Sequence, residues 1–324
     1  MITVLAGGVG AARFLRGLLQ ITPGPEVTAI VNTGDDTVFH GLHVSPDIET
    51  CIYTVAGAID PERGWGLAGE TWHAMESLGR HGGHGAVTWF NLGDRDLGTH
   101  LWRTGRLRDG ASLTEVTAEQ AADWGLTLRL LPMTDDRVAT MVRTDLGVLG
   151  FQEYFVRHRH GIAVSEILLD GIDAATAAPD VLPAIEAASV VVIAPSNPIV
   201  SIGPILALKG VREALVGRRA SVVAVSPIVN GAALKGPADR MLVELGHEAS
   251  VVGVARLYRD IIGALIIDRS DAGLAAAVEA EGVLAVVTDT VMSTPEVAAA
   301  LARTTLATPA APATPAAPGP GATP

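Results

Sequence analysis

The feature that most constrains this chain is an apolar strand that runs straight into glycine and out into a helix. Ile2-Thr3-Val4-Leu5-Ala6 is followed by Gly7-Gly8-Val9-Gly10-Ala11-Ala12-Arg13 and then by helical sequence to Leu19. A fully apolar β-branched run belongs in the middle of a sheet, and a helix starting directly after it must pack back on that sheet. Similar runs bounded by turn residues recur at Val27–Val31, Ser189–Ala194, Ala220–Ser226 and Val283–Thr288. Helical stretches at Arg13–Leu19, Asp180–Ala188, Ile205–Val216 and Ala238–Leu245 lie among them. This alternation predicts an α/β fold with a doubly wound, mostly parallel sheet, whose ligands gather at the carboxyl ends of the strands. Leu128–Leu131, Val138–Arg143 and Val148–Phe155 are strand-like with short connections, which predicts a smaller inserted antiparallel and helical portion. We expect one domain over residues 1–307 with the insertion around 60–170, and a disordered Ala/Pro/Thr-rich tail over 308–324.

Charge and cysteine content exclude several functions. Acids outnumber Lys plus Arg by 35 to 23, so no basic face is available to neutralise a nucleic-acid backbone. Cys51 is the single cysteine, which excludes an internal disulfide framework and a multi-cysteine metal site. The nine histidines show no convincing His-x3-His pair on a helix, so zinc is not expected. Without a long apolar run or a basic-then-apolar leader, neither a membrane span nor a secretory signal is expected, and the chain reads as cytoplasmic.

Four clusters offer chemistry. The Gly7, Gly8 and Gly10 turn can bring backbone amides and a positive helix end to a phosphate, with Arg13 a turn away. Arg13 stands where the third glycine of a dinucleotide fingerprint belongs, and no acid closes the second strand, which disfavours a nicotinamide enzyme. Asp35 and Asp36 follow the second strand, with Asp47 and Glu49 close behind; four carboxylates within fifteen residues suit a hard cation such as Mg²⁺. The ordinary alternative makes Asp35 and Asp36 turn residues and Asp47 a helix cap. Asp94-Arg95-Asp96 sets a guanidinium between two acids in a glycine-bounded turn, fit to grip a phosphate or carboxylate, or else a surface salt bridge. Arg103, Arg106 and Arg108, nearby, read as solvated charges. Ser196, Asn197, Pro198 and Ser201 form a proline-fixed loop at a strand's end, and Ser226 closes the next strand with similar chemistry.

Taken in order, Gly7-Gly8-Val9-Gly10 with Arg13-Phe14, Asn32-Thr33-Gly34-Asp35-Asp36, Ser45-Pro46-Asp47, Ile59–Gly66, Gly93-Asp94-Arg95-Asp96 and Ala194–Pro198 resemble the 2-phospho-L-lactate transferases of coenzyme F420 biosynthesis, in particular the bacterial phosphoenolpyruvate transferase branch. The resemblance implies a Rossmann-like, Mg²⁺-dependent homodimer. It also implies transfer from a guanosine diphosphate ester of phosphoenolpyruvate or phospholactate to the ribityl hydroxyl of the deazaflavin Fo, releasing GMP. On this reading Asp35, Asp36 and Asp47 hold the metal, Asp47, Glu49 and Arg95 act in catalysis, and Thr50 and Asp94 join the glycine and Ser-Asn-Pro loops in binding substrate. Where the family pattern has Asp-Leu-Asp-Thr, this chain has Asp47-Ile48-Glu49-Thr50. A non-catalytic nucleotide or nucleotide-sugar sensor on a related fold is the competing reading.

Overall fold

The computed structural model describes residues 1–82 and 87–308, so the expected tail lies, beyond Thr308, outside the described residues. β1 (Ile2–Ala6) and β2 (Val27–Val31) pair in parallel from Ile2 opposite Val27 to Ala6 opposite Val31, joined by α1 (Gly8–Leu18). Every residue of both strands is buried, which is why each reads as an unbroken apolar run. The chain then leaves the sheet for a hairpin, β3 (Thr37–Phe39) with β4 (Leu42–Val44). Helices α2 (Pro46–Val55), α3 (His73–Gly79), α4 (Asp94–Arg108) and α5 (Leu113–Asp123) follow before it returns as β5 (Arg129–Pro132) beside β2.

A separate antiparallel sheet comes next, built from β6 (Ala139–Thr144), β7 (Gly147–Gly150) and β8 (Val164–Asp170) in the order β7-β6-β8. After α6 (Val181–Ala187), β9 (Val190–Ile193) pairs with the free side of β1. Helices α7 (Gly203–Ala207) and α8 (Val211–Gly217) lead to β10 (Val222–Val225), and a small hairpin, β11 (Ile228–Val229) with β12 (Ala232–Ala233), follows. Then come α9 (Ala238–Glu244), α10 (Val251–Tyr258), β13 (Ala264–Asp268), α11 (Ala275–Ala280), β14 (Leu284–Thr288) and α12 (Pro295–Ala307).

The main sheet runs β14-β13-β10-β9-β1-β2-β5 with every neighbouring pair parallel. Strand order reverses between β1 and β9, so the loops leaving these two strands diverge and leave a crevice at their carboxyl ends. Alternating side chains feed two cores: Leu5, Ile30 and Ile193 face α6 and α10, while Val4, Ala29 and Val192 face α1, α2 and α12. Cys51, on α2, is buried in the second of these cores, and burial pushes its thiol well above the usual range.

Several expectations are corrected. Leu128–Leu131 belongs to β5, an edge of the parallel sheet, rather than to the antiparallel portion. The strand expected over Val148–Phe155 stops at Gly150, and Glu153–Arg157 coils as a π-helical turn that buries Tyr154. The helix over Ile205–Val216 breaks at Gly210, whose φ of 88° is a left-handed conformation open to glycine. β8 and β13 were not anticipated.

The turn from β1 into α1 leaves no room for a side chain at Gly10: a β-carbon there would sit 2.0 Å from the Pro195 carbonyl oxygen, which belongs to the loop leaving β9. Gly10→Ala should therefore cost about 3 kcal/mol or more, since backbone cannot yield as a side-chain tip does. Gly105→Ala, on the exposed face of α4 with nothing within 4 Å, should instead gain about 0.5–1 kcal/mol. Urea titration of both variants checks the contrast.

Candidate functional site

Asn32, the residue after β2, organises the site. Its amide N–H extends the sheet ladder to the Ala6 carbonyl at 2.9 Å, which fixes its side chain at the mouth of the switch-point crevice. From there Nδ2 donates to Asp47 Oδ2 at 3.0 Å and to Asp35 Oδ1 at 3.3 Å, while Oδ1 accepts the Gly34 N–H at 2.9 Å. One carboxamide thus draws together two acids from separate segments. Gln152, from the antiparallel portion, donates to both the carbonyl and Oδ2 of Asp35 at 3.2 Å.

Asp47 is presented by the first turn of α2 to the glycine turn. Gly8 has a φ of 57°, and a β-carbon on it would lie 3.0 Å from Asp47 Oδ1, so only glycine lets the backbone and this carboxylate come together. Gly7 is stitched to the β9 loop, its N–H donating to Ser196 Oγ at 3.3 Å and its carbonyl accepting the Ser196 hydroxyl. Asp36 accepts the Ser45 hydroxyl on Oδ2 at 2.6 Å, and its Oδ1 is buried without a partner among the described residues.

The electrostatics follow from burial. Asp35 is pushed well above the usual carboxylate range by desolvation and then by Asp47 and Asp36; Asp36 is pushed up chiefly by desolvation. Asp47 is raised by desolvation to about 6, although the Asn32 amide and the Gly8 N–H oppose the rise. Glu49 goes the other way: burial would raise it, but the Arg103 guanidinium and then His100 outweigh that and hold it at about 2. Among these acids only Glu49 has an ion-pair partner that stays charged, Arg103; His43 lies 3.8 Å from Asp36 but burial and Arg103 push it down to about 4.

Other expected site residues have different surroundings from those the sequence suggested. Asp94 and Arg95 do not lie in a turn but open α4, and the acids do not grip the Arg95 fork. Asp94 accepts the His73 and Ala74 amides, both at 3.0 Å, and so caps α3; exposed Arg95 donates to the Ala68 carbonyl at 2.6 Å. Asn197 Oδ1 caps the turn after it through Ile199 and Val200, and the Ser226 hydroxyl closes on the Ile228 backbone. Their polar groups, like that of Ser196, are spent on loop shape. Pro198 and Thr50 are buried, and the Ser201 β-carbon lies 2.5 Å from where a Gly7 β-carbon would be. Arg13 is exposed on α1 without a polar partner among the described residues, close enough to Lys235 to lower that ammonium's proton affinity after burial has done so.

Arg103 is the largest correction. Read as a solvated charge, it is 1% exposed and heads the fully buried side chains by size. A signal was present: Asp96, His100, Arg103 and Thr104 are the buried residues of α4, spaced i, i+4, i+7 and i+8 on one helical face, whereas Leu101 is exposed. Gln152 carried no such signal, because nothing local ties it to Asp35.

Beside the acids opens a cavity of about 610 Å³, whose walls include Asp35, Asp36, Phe39, Trp89, Phe151 and Arg137. It lies between the β3–β4 hairpin and the antiparallel sheet, which builds its far wall. Carboxylate oxygens in excess of cations fit a hard divalent ion by donor type and charge. Their side chains do not converge on one point, as no group of three or more His, Cys, Asp or Glu is arranged to hold an ion among the described residues.

A doubly wound parallel sheet with a glycine turn and buried acids at its switch point defines an α/β protein built to bind at that edge. The family described as 2-phospho-L-lactate transferase CofD matches residues 2–306. The chain belongs to this family, and it is a transferase of the coenzyme F420 biosynthesis type. It is 46% identical to the phosphoenolpyruvate transferase of Kitasatospora aureofaciens over 94% of this chain and 97% of that one. Against the phosphoenolpyruvate transferase of Nocardia farcinica it is 45% identical, over 89% and 90%. A solved UPF0052-family protein from Bacillus halodurans shares the fold with a TM-score of 0.62 at 17% identity, covering 94% of this chain and 99% of that one. No helix among the described residues is long and apolar enough to cross a membrane.

Burial also sets a pH dependence. Asp96, hydrogen-bonded by the Tyr53 hydroxyl at 2.6 Å, is raised by desolvation and Glu49 to about 6. The folded state therefore binds its proton more tightly than the unfolded chain, and stability falls as pH rises from about 4 to about 6. Asp96→Asn should gain about 1–3 kcal/mol on wild type between pH 4 and pH 7. Denaturant titrations at the two pH values measure it.

Proposed function

We propose that this enzyme moves the phosphoenolpyruvyl group from its guanosine diphosphate ester to the terminal ribityl hydroxyl of Fo, releasing GMP. The observation that carries the reading is the set of acids, buried Asp35 and Asp47 with half-buried Asp36, between the glycine turn at the switch point and a cavity walled by Phe39, Trp89 and Phe151. A flat deazaflavin suits those aromatic walls, and a diphosphate suits the crevice. The relatives' names favour phosphoenolpyruvate over phospholactate as the acid carried.

In this reading Asp35 and Asp47, already linked by Asn32, hold Mg²⁺. The ion, when bound, neutralises the diphosphate and the charge that develops as GMP leaves. The first-turn amides of α1 lack helical partners and face the same charge, reinforced by Arg13. The Gly7–Ser196 stitch and the rigid loop through Asn197 and Pro198 hold the crevice wall in place. Asp36, which lines the cavity, is the carboxylate to take the proton of the attacking hydroxyl, and its raised proton affinity helps it do so. Positioning and charge neutralisation supply most of the rate, because phosphorus transfer of this kind needs no protein nucleophile. A homodimer comes with the family resemblance.

Purified protein with Fo, guanosine-activated phosphoenolpyruvate and Mg²⁺ should release GMP in step with a phosphoenolpyruvylated Fo, followed by chromatography and mass spectrometry. No GMP above a protein-free control would overturn the reading. Asp47→Ala should lower kcat by roughly 10²–10³, the loss of one preorganised charge contact.

A further inference from the structure

Resting on that reading, we propose that Arg103 is a positioning residue: it takes Glu49 out of the acid cluster and clamps α2 from behind, so that Asp47 faces the glycine turn. Neither residue then touches substrate or metal.

Helical geometry makes the division. Successive residues turn by about 100°, so positions i and i+2 point to opposite sides. Asp47 accordingly meets Asn32 and Gly8, whereas Glu49 meets α4. There both terminal nitrogens of Arg103 are engaged. Nη1 pairs with Glu49 Oε1 and donates to the His43 carbonyl at 3.4 Å, and Nη2 donates to Gln120 Oε1 at 2.9 Å. His100 Nδ1 lies 3.2 Å from the same Glu49 oxygen.

The clamp also reaches the hairpin. Thr104, beside Arg103, accepts the His43 N–H at 2.8 Å, so α4 holds both backbone groups of the residue two before the α2 cap. That cap, Ser45, points its N–H at Glu49 Oε1 at 3.4 Å and donates its hydroxyl to Asp36. Glu49 therefore ties Arg103, Ser45 and the first turn of α2 into one unit. Further along α2, the Tyr53 hydroxyl bonds Asp96 on α4. Arg103, His100 and the Ser45 N–H all meet Glu49 at Oε1, which commits that oxygen to the α4 side.

The test compares Arg103→Lys, Glu49→Gln and the double variant, with folding checked by circular dichroism. Arg103→Lys keeps the charge but cannot span Glu49 and Gln120 together. Each single variant should lower kcat at least tenfold with both KM values within about threefold, and the double should be no worse than the worse single, because both break one interaction. Mn²⁺ affinity by calorimetry should weaken by a similar factor in both singles. Loss of Mn²⁺ binding in Glu49→Gln with Arg103→Lys unaffected would make Glu49 a ligand and overturn the proposal. So would additive losses, or kcat within twofold of wild type. Should the buried variants not fold, Gln120→Met removes one arm of the fork: a several-fold kcat loss at near-native melting temperature supports the clamp, and unchanged kcat refutes it. Calorimetry needs no turnover, so a wild type that released no GMP would sink the functional reading while leaving this one measurable.

Discussion

The constraint on which this structure turns is that three buried carboxylates, Asp35, Asp47 and Glu49, and half-buried Asp36 share one buried guanidinium, Arg103. Removing a charge from water costs several kcal/mol even after a protein relaxes around it, so such a group is tolerated only where something offsets the cost. Here Glu49 has Arg103, while Asp35, Asp36 and Asp47 have neutral donors, Asn32, Gln152, Ser45 and the Gly8 amide, which soften the penalty without cancelling it. The imbalance is held in place by the central strands of the main sheet. β1, β2 and β9 are buried almost throughout, and they deliver Gly8, Asn32 and Ser196 to one edge.

Stability and function meet at the glycine turn. Gly10 admits the Pro195 carbonyl and Gly8 admits Asp47, so the close approach that seals β1 against β9 also brings a carboxylate to the start of α1. A helix N-terminus alone attracts anions. With Asp47 against it, that end is partly neutralised. The insertion completes the arrangement from the other side, since Gln152 reaches Asp35 and Phe151 lines the cavity.

The fold was legible wherever local pattern and burial agree. Strands buried on both faces announce themselves as apolar runs, which is why β1, β2, β9 and β10 were found nearly residue for residue, and the edge strand β14, only half-buried, was found from its β-branched run. β13 was missed although Ile261–Ile267 is apolar apart from Gly263. Exposed residues within β8 and the π-helical turn after β7 blur periodicity, so the antiparallel strands were seen but the one over Val148–Phe155 was drawn too long and β8 was missed. In the site, the grouping of Asp35, Asp36 and Asp47 near the glycine turn could be read because sequence proximity and strand ends bring them there. What could not be read was direction. Glu49 sits two residues from Asp47 yet faces away, Arg103 looks like a surface charge until its helical face is known, and the Gly93–Asp96 cluster proved to be a pair of helix starts.

Cys51 lies on α2 two residues beyond Glu49, sealed in the core with its thiol held protonated. A thiol reagent can reach it only when that helix lifts away from the sheet. Its labelling rate is thus a built-in clock for how often the carboxylate-bearing helix opens, readable without any added probe and slowed by whatever ligand pins the helix shut.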